Sequence, residues 1–317
     1  MNRVFILGAG FSYYLSGGQF PMMELLGENI KNKFDWISQY CNEKHYKRFD
    51  LERLLTDLEL DYATKHISDI LDFLREQFDL RKIDDSKKSK AENICSKLFK
   101  ENDSIMTFNY DCLLEHILWI IKYWSPNGGY GEEISVFPLD RIKNPCNIIL
   151  LKLHGSINFN IEKTHPNGNA KYSEPYISDE IFPGTHAIIG DKPNSNIEKS
   201  SIVLPSYIKL FGSDRSSIRI WHEAIEKIKK ADTLIIIGYS FPKADILTRF
   251  LLSFLESKSN KKIKIIILNT KKEKERIKQQ IWELGQFGYD VEWNMDLDIT
   301  DADYCELVNV LKNHQYN

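Results

Sequence analysis

Short, nearly unbroken apolar runs alternate along the chain with longer amphipathic ones. Val4–Leu7, Ser104–Thr107, Ile148–Leu153 and Thr233–Ile237 are four such runs, and the isoleucine-rich Ile263–Leu268 is a fifth. β-Branched runs with few polar interruptions predict strands covered on both faces, which favours parallel pairing. Helical patterns lie between several of the runs, so the expected class is α/β, a doubly wound parallel sheet.

Residues 22–103 do not fit a simple crossover between the first two strands. Leu51, Leu54, Leu55 and Leu58 fall at i, i+3, i+4 and i+7, one apolar helix face, with Asp50 placed to cap it. Ile67, Ile70, Leu71 and Leu74 repeat the pattern. These positions predict an all-helical insertion after the first strand, with the polar stretch DDSKKSK, residues 84–90, as a loop. Residues 157–204 are rich in Asn, Pro, Gly and Lys without periodicity and read as a variable loop region near the ligand edge of the sheet. A charged surface helix is expected over Lys271–Leu284. The organisation is then a Rossmann-like domain from residues 1–21 and 104–317, interrupted by the helical insertion.

Composition narrows the partners. The 317 residues carry a formal net charge of −3, with acids and bases interspersed, which argues against a nucleic-acid binder relying on bulk charge. The five cysteines, Cys41, Cys95, Cys112, Cys146 and Cys305, have no metal-ligand spacing, so neither a disulfide framework nor a zinc site is expected. A reducing cytoplasm is the simplest setting. No stretch approaches the roughly 18 apolar residues of a membrane span, and the first apolar run is too short for a secretory signal.

Chemistry concentrates at the predicted strand ends. They read GAGFS, TFNYD (107–111), LHGS (153–156), GYSFPKAD (238–245) and LNT (268–270). Open α/β sheets bind ligands at the carboxyl ends of their strands, so five polar or glycine-rich tips on one edge outline a nucleotide site. Gly8, Ala9 and Gly10 form a turn whose glycines let the backbone approach a pyrophosphate, with Ser12 adding a hydroxyl. The third glycine of a dinucleotide fingerprint is absent, and Tyr13 stands in its place. A tight strand–helix turn without a ligand is the plainer alternative. NYD likewise reads either as ligand contacts or as a turn capping the helix CLLEHILWII.

The order GAG-x-S, N-x-D, HG, G-x-S and a late Asn resembles the SIR2 (sirtuin) family in its NAD-binding sequence, and IVLPSYIK (202–209) resembles a segment of bacterial SIR2-like proteins. The departures are specific. Residues 157–205 contain no cysteine where deacetylating sirtuins carry a zinc ribbon, LSGGQF and Met22–Met23 replace their substrate-loop residues, and Phe108 replaces the Gln before the catalytic Asn. The pattern is closer to the zinc-less bacterial SIR2-like NAD hydrolases of anti-phage defence.

That resemblance implies NAD as substrate, no metal, and the following roles. Asn109 holds the nicotinamide ribose or orients the attacking water. His154, followed by Gly155, is the catalytic histidine, and Asp111 holds the carboxamide. Gly238, Ser240 and Asn269 contact the adenosine half, while Asp245 either binds a ribose hydroxyl or caps the next helix. Tyr13, Tyr14 and Phe20 cover the nicotinamide or pack on the insertion. The implied reaction is NAD glycohydrolysis, held off by oligomerisation or by a partner such as an Argonaute-type protein, a HerA-like ATPase or a phage trigger. The alternatives are an NAD-dependent protein deacylase or ADP-ribosyltransferase, and a non-catalytic NAD- or ADP-ribose-binding assembly module.

Overall fold

The computed structural model describes residues 2–131, 144–162, 176–177, 197–198, 206–207, 215–242, 245–255, 263–284, 291–294 and 309. Its strands are β1 (Arg3–Leu7), β2 (Ser104–Thr107), β3 (Ile149–Lys152), β4 (Phe159–Glu162), β5 (Tyr176–Ile177), β6 (Ile197–Glu198), β7 (Thr233–Ile237), β8 (Ile263–Leu268) and β9 (Val291–Asn294). Six of them form one sheet in the order β3-β2-β1-β7-β8-β9, every neighbour pair parallel. Counted along the sheet's own strands this is the 3-2-1-4-5-6 order of a doubly wound dinucleotide-binding fold, with its switch point between β1 and β7. All five residues of β1 and all five of β7 are buried, as a sheet covered on both faces requires. β4, β5 and β6 form a separate antiparallel sheet.

Between β1 and β2 the chain is helical: α1 (Ala9–Leu15), α2 (Met23–Lys33), α3 (Trp36–Glu43), α4 (Leu51–Leu60), α5 (Thr64–Gln77) and α6 (Asp85–Leu98). Leu54, Leu58, Ile70 and Leu74 join the same buried cluster as Phe5 and Ile235, so these helices share the core of the sheet. Phe20 is buried with its ring 5.5 Å from that of Phe78, which places it in helix packing. Asp50 caps α4 by accepting from the Arg53 N–H at 3.0 Å. Asp50→Ala should therefore lower the unfolding free energy by about 1 kcal/mol, read as an earlier urea midpoint with an unchanged slope.

The loop expected at residues 84–90 is instead the start of α6. The buried stripe of that helix, Ala91, Ile94, Cys95 and Leu98, begins only after the charged turns. Lysine is a good helix former, and its first turns need no apolar face when they lie toward solvent. After the tip of β2 come α7 (Leu113–Ile120) and α8 (Pro126–Gly129), and later α9 (Arg215–Lys229), α10 (Ile246–Leu252) and α11 (Lys271–Leu284). At the opposite end of the sheet, Arg3 Nε donates to Asp103 at 2.9 Å, tying the start of β1 to the start of β2. Among the described residues no helix is long and apolar enough to cross a membrane.

Candidate functional site

At the switch point the first turn and the end of β7 interlock through glycine. The Gly8 N–H donates to the Ile237 carbonyl and the Gly10 N–H to the Gly238 carbonyl, each at 3.0 Å. Gly238 has φ +60°, and a Cβ built there would lie 2.4 Å from the Phe11 nitrogen. A Cβ on Gly8 would lie 2.5 Å from the Gly238 oxygen. Close approach of the two backbones is thus the immediate reason for glycine here. The amides of Gly8 and Gly10 are engaged by that contact, and Phe11 donates to the Gly8 carbonyl at 2.9 Å. Ala9 begins α1, and the buried Ser12 faces the next strand tip.

Asn109 clamps this turn from the end of β2. Its side-chain Nδ2 donates to the Gly8 carbonyl and to Ser12 Oγ, both at 2.9 Å, while its backbone N–H donates to Thr107 Oγ1 at 3.1 Å. A carbonyl can only accept, so the amide nitrogen must face Gly8. Oδ1 is then the atom that remains to meet a ligand, and it is an acceptor. Asp111 is buried and accepts from the Leu113 N–H at 3.0 Å, the turn alternative for NYD, one residue ahead of the α7 cap position at Cys112. Burial pushes the neighbouring Cys112 thiol up.

His154, 4% exposed, follows β3 by two residues. Gly155 takes φ +71° and donates to the Lys152 carbonyl at 3.0 Å, which closes the turn carrying the imidazole. Phe108 meets the ring edge-on with centroids 4.9 Å apart, and itself stacks on Tyr239 at 4.5 Å. His154 Nε2 lies 3.4 Å from Asp245 Oδ1, and Asp245 Oδ2 accepts from the Tyr239 hydroxyl at 2.8 Å. Asp245 occupies the cap position of α10 without making a side-chain cap bond. Its carboxylate is directed to Tyr239 and His154 instead. Burial, then Asp245, lifts the Tyr239 phenol well above its ordinary range, so it stays a donor.

The residues expected on the adenosine side knit β7 to β8. Asn269 Nδ2 donates to the Tyr239 carbonyl at 3.0 Å and its Oδ1 accepts from the Thr270 N–H at 2.9 Å. Gly238 donates to the Leu268 carbonyl at 2.9 Å, and the Ser240 carbonyl accepts from Arg276 of α11. Seven of the twelve sequence-predicted residues fall into two groups. Gly8, Gly10, Ser12, Asn109 and Gly238 form one; His154 and Asp245, joined by Phe108 and Tyr239, form the other. Lys209 of IVLPSYIK, a candidate phosphate or substrate contact, and the loop histidines His165 and His186, candidates to reach the pocket, lie outside the described residues.

Three contributors were not expected at the site, Phe108 being read only as a replacement for Gln. Phe108 and Tyr239 sit inside the TFNYD and GYS motifs, where a ring beside a polar residue passes for core. The third is α4 of the helical segment. Burial first, then the charges of Asp245, Glu52 and Glu59, raise the Tyr110 phenol. Thr56 of the same helix accepts from the Tyr207 N–H at 2.8 Å, joining α4 to the segment IVLPSYIK. No spacing rule joins residues so distant in the chain. Among the described residues no group of three His, Cys, Asp or Glu could hold a metal ion.

Comparisons with known proteins bear on this arrangement. The family model of the SIR2-like domain matches residues 103–287, more than half of the chain. No curated protein matches. Among solved structures, a sirtuin from work on sirtuin substrate affinity is 15% identical, covering 99% of this chain and 93% of that one, with a TM-score of 0.44. A Sir2 structure from work on Sir2 mechanism and regulation is 15% identical over 100% of this chain and 94% of that one, TM-score 0.35. A Sir2 complex with a p53 peptide and NAD+ is 13% identical over 100% and 94%, TM-score 0.32. These likenesses carry no argument about chemistry; the family match does, and it supports an NAD-related function. It spans the NYD, HG and GYS tips on a sheet wound in dinucleotide-binding order, and the chain belongs to the SIR2-like domain family.

Proposed function

We propose that the protein is an NAD+ glycohydrolase that cleaves the nicotinamide N-glycosidic bond to give nicotinamide and ADP-ribose. One observation carries this reading: an amide and an imidazole stand at the carboxyl ends of the adjacent strands β2 and β3, beside the switch point, with a carboxylate 3.4 Å from the imidazole. The leaving group is a pyridinium that departs as neutral nicotinamide, so no acid is needed to protonate it. The bond from ribose C1′ to the nicotinamide nitrogen breaks and its electron pair leaves with the nitrogen. A water oxygen then bonds to C1′ and its proton passes to His154. The Asp245 carboxylate stabilises the imidazolium so formed, and Asn109 Oδ1 accepts from the water or a ribose hydroxyl. The rings of Phe108, Tyr110 and Tyr239 suit a flat cationic heterocycle. Nothing in these steps calls for a metal. In this reading Asp111, Gly155, Ser240 and Asn269 line the path of the dinucleotide, and Asp245 serves His154 rather than a ribose.

The resemblance to zinc-less SIR2-like NAD hydrolases supports an NAD-depleting role in antiviral defence, released by self-assembly or by a partner protein. Product-resolved chromatography of NAD incubated with the protein, with and without an acyl-lysine peptide, tests the activity. Nicotinamide and ADP-ribose in equal amounts, at a rate the peptide does not change, are expected. Turnover that requires the peptide and yields acyl-ADP-ribose would establish a deacylase instead, and tight NAD binding without turnover a binding module.

A further inference from the structure

Behind the strand tips lies a charged pair that belongs to none of the motifs. Glu115 of α7 and Lys152 at the end of β3 are each 1% exposed and stand 2.9 Å apart. Burial works against both charges, pushing the Glu115 carboxyl up, while Glu115 with Cys112 and Asp111 outweighs it for the Lys152 ammonium and keeps that group above its usual range. A pair so dry is weak as a source of stability, because apolar side chains of similar volume would pack α7 on β3 as well or better. Directed hydrogen bonds are what an apolar pair would lack. Lys152 Nζ also donates to the carbonyl of Asp111, in the loop that carries Asn109. Its own carbonyl accepts from Gly155 and so closes the turn that carries His154. The two loops meet again where Ser156 Oγ and the Ile157 N–H donate to the Tyr110 carbonyl at 3.2 and 3.0 Å. On the far side Tyr130 donates to Glu115 at 3.4 Å and accepts from Asn158 Nδ2 at 3.1 Å, which fixes the carboxylate in turn.

We propose that Glu115 and Lys152 are positioning residues: Lys152 holds the Asn109 loop in register with the His154 turn, and Glu115 holds Lys152. The kinetic consequence rests on the NAD-cleaving reading, whereas the geometric one does not. In the apolar double variant Glu115→Leu/Lys152→Met, the far-UV spectrum and cooperative melting should persist. Its kcat for nicotinamide release should fall about 10- to 100-fold with KM for NAD unchanged. A folded double variant with wild-type kcat would overturn the proposal. Amide exchange in the single variant Glu115→Gln provides a readout independent of NAD. The Asn109 and Leu113 amides, held by Thr107 Oγ1 and Asp111 Oδ1, should exchange at least about tenfold faster while those of β7 keep their protection. Unchanged exchange at Asn109 and Leu113, or an equal rise in β7, would also overturn it. Should the wild type leave NAD intact, the hydrolase reading falls and the exchange comparison still decides the positioning role. It decides likewise if the double variant fails to fold.

Discussion

Asn109→Ala should lower NAD cleavage by about 10²- to 10³-fold, the scale on which a single well-placed polar group contributes to a transition state. The loss has two sources. Alanine removes Oδ1, the acceptor for the attacking water or a ribose hydroxyl. It also frees the Gly8 carbonyl and Ser12 Oγ, both of which Nδ2 holds at 2.9 Å. The two sources separate in a comparison with Asn109→Asp. Aspartate keeps an acceptor at Oδ1 but sets a second carboxylate oxygen against the Gly8 carbonyl. That variant should melt earlier than Asn109→Ala despite its near-identical shape, because it replaces a donor with a repelling acceptor rather than with a gap. Nicotinamide release and thermal melting of both variants check the prediction.

Gly238→Ala should cost about 2–5 kcal/mol of folding free energy, the sum of a left-handed backbone penalty and overpacking against atoms that cannot rotate away. The neighbours of the new methyl are the Phe11 nitrogen at 2.4 Å and the Gly10 carbonyl carbon at 2.6 Å, both main chain. To make room, the tips of β1 and β7 must part, and the hydrogen bond from Gly10 to Gly238 lengthens with them. Gly128 provides the comparison. It also has positive φ, +78°, but a Cβ there meets nothing within 4 Å. Gly128→Ala should cost only the backbone part, about 1–2 kcal/mol. Urea midpoints for the two variants test this; equal losses would show that conformation, not the interlock of the tips, makes Gly238 a glycine.

The buried strands were legible because burial on both faces leaves a simple mark, an apolar run of strand length such as TLIII of β7. VEWN of β9 was not. It sits at the sheet edge, paired with β8 among the described residues, and its alternation lasts only four residues, the shortest run that period can mark. The charged opening of α6 hid for a related reason, since its apolar stripe starts a turn and a half into the helix. At the candidate site, the motifs marked where polar groups gather but not the direction each one faces. Asn109 reads as a ligand contact from its place after β2, while only coordinates reveal that its amide hydrogens turn inward to Gly8 and Ser12. Asp245 reads as a ribose contact or a helix cap from its place before α10, yet its carboxylate reaches a histidine on another strand tip. Lys152 lies inside the apolar run Ile148–Leu153, and its pairing with Glu115 appears only once α7 packs on β3. Tertiary contacts decide all three, and spacing along the chain does not encode them.

The most direct test of the account is quantitative nicotinamide and ADP-ribose release from NAD by the wild-type protein beside His154→Ala, each assayed alone and with its assembly or activating partner. The account predicts stoichiometric products from the wild type and a loss of at least about 10²-fold in the variant with NAD affinity retained. Wild-type rates of product release from His154→Ala would contradict it, as would intact NAD under every condition with the wild-type protein.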